Sequence, residues 1–219
     1  METTCFVITG KLNQDTTAIV VQSFQSVKNK IVSTWDSEEP TYLHVLRAHG
    51  FTLILSKLPD TPSSLNCQTL SISNGVKAAQ SMGFTHCIRV RTDMFCNNYP
   101  LLQNAMIYIM NDSNKLYCLS GLNGGNDKGP FVYFICELMC GTTQKLLEVF
   151  DIQDNTSRVP EMVLLETYFK KDIITKDDIR SLFTFCGKEL QGLPLSIEWH
   201  GKGWDLLFYC QEHRSHVWY

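Results

Sequence analysis

Short apolar runs and longer amphipathic stretches alternate along the first half of the chain. Cys5 to Thr9 (CFVIT), Lys30 to Trp35 (KIVSTW), Phe51 to Ser56 (FTLILS) and His86 to Met94 (HCIRVRTDM) are rich in β-branched and aromatic residues and read as four strands. Between them the spacing becomes helical. Asp15 or Thr16 caps a helix through Ala18, Val21, Phe24 and Val27. Pro40 to His49 reads as a short second helix, and Asn66 to Met82 as a longer third one closed by Gly83. Pro59 to Ser64 is a loop of Pro, Ser and Thr. The strand–helix–strand rhythm predicts an α/β fold with a mostly parallel sheet flanked by helices.

The second half has a different texture. Met106 to Met110 reads as a helix end or a strand, and Leu116 to Leu119 as a strand. Gly121 to Gly129 (GLNGGNDKG) reads as a loop long and glycine-rich enough to act as a lid. Phe131 to Cys140 begins like a strand, and Thr142 to Asp151 is amphipathic through Leu146, Leu147 and Phe150. Pro160 opens a further helix over Glu161 to Phe169. Strand-like pieces follow at Leu195 to Trp199 and Trp204 to Cys210. No repeat or linker interrupts the pattern, so residues 1–219 are expected to form one domain.

Composition narrows the function classes. Of 219 residues 44% are hydrophobic, enough for one full core. The formal charge of -3, with no run of Lys or Arg, argues against nucleic acid or an anionic membrane as the main partner. Nine cysteines, an odd number scattered through apolar runs and without a CxxC pair, read as reduced core thiols, which points to the cytoplasm. The first fifteen residues lack the pattern of a signal peptide, and no apolar run is long enough for a membrane span.

Ligands of open α/β sheets bind beyond the carboxyl ends of the strands. Here those ends deliver Thr9 and Gly10, then Thr34, Trp35 and Asp36, then Arg91, Thr92 and Asp93. A glycine after the first strand lets backbone approach a ligand closely. Neither GxGxxG nor GxxxxGK[ST] is present, which disfavours dinucleotide oxidoreductases and P-loop enzymes. Asp93 at a strand end suits a divalent cation that neutralises a diphosphate, or equally a turn cap or an ion pair with Arg89 or Arg91. The two arginines share one strand face and suit either a buried salt bridge or phosphate recognition.

The run from Lys30 to Met94, with the opening VITG strand, resembles the nucleotide-binding half of GT-A glycosyltransferases, in particular the WavE-type family linked to lipopolysaccharide synthesis. The similar pieces are Ser33 to Asp36 (STWD), Asn66-x-Gln68 followed by Ser73 to Ala79 (SNGVKAA), and Ile88 to Asp93 (IRVRTD) against the family's K-x-R-[ST]-D. Further on, Cys136 to Gly141 (CELMCG) is similar to its S-D-x-x-x-G segment and Pro160 to Leu164 (PEMVL) to its P-E-x-x-L segment. The resemblance implies a GT-A-like (Rossmann-like) domain with a nucleotide-sugar-binding half at residues 1–100 and an acceptor-side half at 101–219. It implies a nucleotide-diphosphate sugar donor, a glycan or glycoconjugate acceptor, and usually a divalent cation, Mn²⁺ or Mg²⁺. Thr9 and Asp36 would then border the nucleoside, Asn66 and Lys77 its base or phosphates, and Arg91 and Asp93 the diphosphate, with Gly10 as the point of close backbone approach.

Asp93 would bind the metal, with His200 or His213 completing the site, although Arg91 occupies the place of the first acid of a DxD pair. Glu137, with Glu161 as the alternative, would be the base that takes a proton from the acceptor hydroxyl if the enzyme inverts. The expected function is therefore sugar transfer, either by this chain alone or with a partner subunit or further domains. Two alternatives stay open: a nucleotidyltransferase, which would normally carry a glycine-rich, lysine-containing loop where this chain has only Gly10-Lys11-Leu12, and a non-catalytic nucleotide- or glycan-binding domain.

Overall fold

A computed structural model describes residues 3–60, 64–119, 121–123, 132–134, 138–152, 160–190, 192–199, 202–204 and 217–218. Its centre is a seven-stranded sheet. Strands β1 (Thr4–Thr9), β2 (Lys30–Trp35), β3 (Thr52–Ser56) and β4 (His86–Arg91) run parallel, with β1 between β2 and β4 and β3 at the edge. Beyond β4 lies β9 (Leu138–Thr142), antiparallel to it, then β6 (Leu116–Cys118) and β10 (Phe183–Phe185). The predicted α/β class with a mostly parallel, helix-flanked sheet is thus the observed one, with β9 as its reversed member.

Both faces of the sheet are covered, which is why the central strands read as unbroken apolar runs. In β1 all six residues are buried, Cys5 and Val7 toward one face and Phe6 and Ile8 toward the other. The first face packs against α3 (Ser64–Ser81), α5 (Thr143–Phe150), α6 (Pro160–Phe169) and α7 (Lys176–Leu182) through residues such as Ile72, Val76, Leu146 and Leu164. The second packs against α1 (Gln14–Ser23), α2 (Pro40–Ala48) and α4 (Tyr99–Ile109), where Phe24 stacks on Tyr99 at 3.9 Å between ring centroids and Phe6 meets both rings edge-on. Helix α3 lies very close to β1 and β2: a Cβ at Gly75 would sit 2.5 Å from Val7 Cγ1 and 3.0 Å from Ser33 Cβ.

Several boundaries differ from the sequence expectation. The cap of α1 is Asn13, whose side chain accepts from the Thr16 N–H while the Thr16 hydroxyl accepts from the Asn13 N–H, so Thr16 is the third helical residue and not the cap. The fourth strand stops at Arg91. Thr92 and Asp93 turn the chain, and Met94 begins a separate strand, β5 (Met94–Cys96), which joins β11 (Ile197–Trp199) and β12 (Lys202–Trp204) in a small sheet. Helix α4 starts at Tyr99, capped by Asn98 with Pro100 in its first turn, well before the stretch that reads as its end. Gly121–Asn123, expected to open a lid loop, forms β7, which pairs with β8 (Val132–Phe134) and with β13 (Val217–Trp218); residues 124–131 lie outside the described ones. Among the described residues no helix is long and apolar enough to cross a membrane.

Candidate functional site

The carboxyl ends of β1, β2 and β4 open onto a cleft of about 620 Å³. Its floor is the turn from β1 into α1. Gly10 has φ +139°, a conformation that L side chains rarely adopt, and a Cβ there would lie 2.5 Å from Thr92 Oγ1. The backbone of this turn is therefore pressed against the β4–β5 turn, with the Thr92 hydroxyl donating to the Lys11 carbonyl at 3.1 Å. Asn13 and Thr16, at the amino end of α1, also line the cleft, so the helix's partial positive charge faces it.

Glu38 fixes the other side of the same turn. It is 7% exposed, and its Oε1 accepts from the Leu12 N–H at 3.0 Å and from the Thr34 hydroxyl at 2.8 Å. The Thr34 hydroxyl also lies 2.8 Å from the Gly10 carbonyl oxygen. One buried carboxylate thus ties the loop after β2 to the loop after β1. Trp35 and Ser37 from β2 and its turn, and Cys67, Gln68 and Ser71 from α3, form the facing wall. Burial raises the Cys67 thiol pKa, which keeps it a poor nucleophile.

From β4 come Arg89 and Arg91. Arg89 is 3% exposed and donates from Nε to Thr9 Oγ1 at 3.0 Å. Arg91 grips Asp93 with a two-bond fork, Nε to Oδ1 at 2.8 Å and an Nη to Oδ2 at 2.7 Å. Across the cleft lining Lys11, Arg89 and Arg91 face Glu38 and Asp93, three cations against two carboxylates. Such a surface suits an anionic ligand with hydroxyl or amide edges, such as a nucleotide.

Of the residues singled out from sequence, Thr9, Gly10, Arg91 and Asp93 come together in the cleft. Asp36 does not line it. Its N–H still bonds to the Ser56 carbonyl, extending the β2–β3 ladder by one residue, and its side chain is exposed; Glu38, two residues on, is the acid that reaches the cleft. Asn66 is buried in the first turn of α3, beside the cleft-lining Cys67 and Gln68 but not lining the cleft itself. Lys77 lies about 9 Å further along α3 than Ser71, by the rise of a helix, and pairs with Asp151 at 2.8 Å on the surface. Glu137, His200 and His213 fall outside the described residues, and Glu161 stands in the first turn of α6 with its side chain likewise outside them.

A divalent cation at Asp93 would need a carboxylate oxygen and further hard donors. Both oxygens of Asp93 are engaged by Arg91, and among the described residues no three His, Cys, Asp or Glu side chains converge. Among the described residues Asp93 is the one ligand of the expected cation site, and His200, named to complete it, lies outside them. What sequence reading missed is Glu38, Lys11 and the α3 wall of Cys67, Gln68 and Ser71. The last has a signal: positions one and four apart on the helix that begins beside Asn66.

No family model and no curated protein matches the chain. Among solved structures it is similar to one from Bacillus anthracis described as a glucose-1-phosphate thymidylyltransferase in complex with sucrose, at 8% identity and a TM-score of 0.52, covering 91% of this chain and 90% of that one. A 4-diphosphocytidyl-2C-methyl-D-erythritol synthase from Anaerococcus prevotii matches at 11% identity and a TM-score of 0.48, covering 81% and 94%. A CMP:2-keto-3-deoxy-manno-octonic acid synthetase complexed with CTP matches at 10% and 0.48, covering 76% and 84%. At such identities the likeness to the thymidylyltransferase concerns the fold alone, a mostly parallel α/β sheet flanked by helices.

Proposed function

We propose that the chain is a nucleotide-dependent transferase of sugar chemistry that holds its nucleotide in the cleft at the ends of β1, β2 and β4. The observation that carries this reading is the meeting of Gly10, where no side chain fits, with Arg89 and Arg91 in one cleft at the strand ends. Close backbone approach and guanidinium groups are what a diphosphate needs.

Nucleotidyl transfer is the first reading, supported by the fold shared with a structure described as a thymidylyltransferase over 90% of that chain. In that reaction an oxygen of a sugar phosphate attacks the α-phosphorus of a nucleoside triphosphate, and pyrophosphate leaves with the electron pair of the broken P–O bond. The cations lining the cleft would stabilise the charge that develops on the phosphoryl oxygens. Glycosyl transfer from a nucleotide-diphosphate sugar to a glycan hydroxyl is the second reading. It is favoured by the short β1–α1 turn: Gly10, Lys11 and Leu12 alone separate β1 from the Asn13 cap, so the long glycine-rich loop usual in nucleotidyltransferases has no room.

One preparation tests both. Pyrophosphate release is followed with each nucleoside triphosphate and a panel of sugar 1-phosphates, and nucleoside diphosphate release with nucleotide sugars and glycan acceptors. Activity in the first assay alone selects nucleotidyl transfer, and in the second alone glycosyl transfer. Absence of both, with no nucleotide shifting the melting temperature, refutes the reading.

A further inference from the structure

We propose that Glu38 selects the sugar of the bound nucleotide: its second carboxylate oxygen accepts from the vicinal hydroxyls of a ribose, so the cleft takes ribonucleotides in preference to 2′-deoxyribonucleotides. The inference rests on the nucleotide reading above and adds to it which nucleotides are held. A carboxylate offers two oxygens and about four lone-pair positions. In Glu38 one oxygen is filled, Oε1 accepting from the Leu12 N–H at 3.0 Å and from the Thr34 hydroxyl at 2.8 Å. Among the described residues nothing donates to Oε2. The hydroxyls of Thr17, Ser23 and Ser33 are the described side-chain groups sealed from solvent without a partner, and Oε2 is not one of them, so it stays open. The residue as a whole is nonetheless 7% exposed, and it lines the cleft. A carboxylate drawn so far out of water with half of its accepting capacity unused is costly until a donor meets it.

The position of Glu38 decides which donor it meets. The Thr34 hydroxyl lies 2.8 Å from Oε1 and 2.8 Å from the Gly10 carbonyl oxygen, so one side chain separates the carboxylate from the turn where backbone comes closest to a ligand. A phosphate at that turn, facing the amino end of α1, has the ribose as its next group. The phosphate oxygens themselves are repelled by a carboxylate, and the base stands one group further away. Ribose hydroxyls are neutral donors, and a hydrogen bond from them to an ionised acceptor is of the strong, charge-assisted kind. Two hydroxyls on adjacent carbons also match one oxygen with two unused lone pairs. The bonds at Oε1 come from the loop after β1 and from β2, so the carboxylate is fixed before the ligand arrives and loses little freedom on binding.

Calorimetric titration with UDP, CDP, ADP and GDP, and with the 2′-deoxy form of each, in Mg²⁺ and in EDTA, tests this directly. The ribonucleotide that binds best should bind roughly tenfold or more tightly than its deoxy form, the change expected for a hydrogen bond to a charged group. Glu38→Gln keeps an oxygen for the Leu12 N–H and puts an amide NH2 where Oε2 stood. That variant should bring the ribonucleotide to within about threefold of the deoxy form while the deoxy form binds as before. Equal affinity for the two forms in the unmodified protein, or a preference that survives Glu38→Gln, overturns the inference and leaves the nucleotide reading standing. A preference that vanishes in EDTA overturns it too, since the sugar contact would then run through a cation. If no nucleotide of the set binds in either buffer, both fall. Should Glu38→Gln fail to melt cooperatively, Glu38→Asp, which keeps the charge but withdraws the carboxylate by one methylene, is read in its place, and an unchanged preference in that variant overturns the proposal.

Discussion

Replacing Gly10 by alanine perturbs a point where the β1–α1 and β4–β5 turns touch, and the cost can be worked from the geometry. At φ +139° an alanine is held in a conformation that costs about 1–3 kcal/mol. Its methyl would also sit 2.5 Å from Thr92 Oγ1, a distance that real Cβ atoms essentially never show, so the hydroxyl must move. Moving it breaks the hydrogen bond to the Lys11 carbonyl, about 0.5–1.5 kcal/mol more. The expected destabilisation is about 2–4 kcal/mol, or roughly 5–15 °C in melting temperature for a chain of this size. Urea unfolding followed by circular dichroism measures it. Thr92→Ala in the same background removes Oγ1 and leaves the Thr92 Cβ at 3.5 Å, an ordinary contact. The double variant should therefore be more stable than the sum of the single losses predicts, by about 1 kcal/mol, while the backbone cost persists. A Gly10→Ala protein within about 0.5 kcal/mol of wild type, or strict additivity with Thr92→Ala, would refute the reasoning.

Two further outcomes follow from the same geometry. Glu38→Ala leaves the buried Leu12 N–H without its acceptor and should cost about 1–3 kcal/mol in urea unfolding, with Glu38→Gln costing less because one amide oxygen remains; equal stability of all three proteins would show that the carboxylate does not brace the turn. Asp178 should titrate at about 2 by carboxyl NMR, below the ordinary 3.8, because Lys171 donates to it at 2.6 Å and the Thr175 N–H and hydroxyl add two more bonds. Since the folded-state value is the lower one, the stabilisation is complete above the unfolded value near 3.8 and is lost as pH falls through about 2. A measured value near 4, or no rise in Lys171→Met, would contradict that account.

The site was legible in part. Thr9, Gly10, Arg91 and Asp93 could be found from sequence because strand ends are local features: an apolar run stops, and the next residues stand at the sheet's edge. The acid after β2 was not legible in the same way. Asp36 is nearer the end of the apolar run, yet its N–H stays in the ladder with Ser56 and its side chain turns to solvent, whereas Glu38 is brought inward by a turn whose closing bond runs from its N–H to the Trp35 carbonyl. Lys77 shares its helix with the cleft-lining Gln68 and Ser71, but its Asp151 partner is brought by α5, an element remote in sequence.

What the sequence by itself determined is the set of local elements. The doubly buried strands β1, β2 and β4, the helix over α3 and the mostly parallel order all follow from periodicity and from the side-chain types that suit each backbone. What only the tertiary structure decided is everything that depends on pairing across the chain. The reversal of β9 beside β4, with Arg89 opposite Met139 and Val90 opposite Leu138, leaves no periodic mark, since a buried strand reads alike in either direction. The transfer of Met94–Cys96 into a second sheet with Ile197–Trp199 needs a partner a hundred residues away in sequence. Glycine at 75 looks like a weak point in a helix until Val7 and Ser33 are seen to leave no room for a Cβ. The fork between Arg91 and Asp93 had been one of several arrangements open to that strand end. The turn at Thr92, tied to Lys11 across the sheet, accompanies the arrangement the molecule adopts.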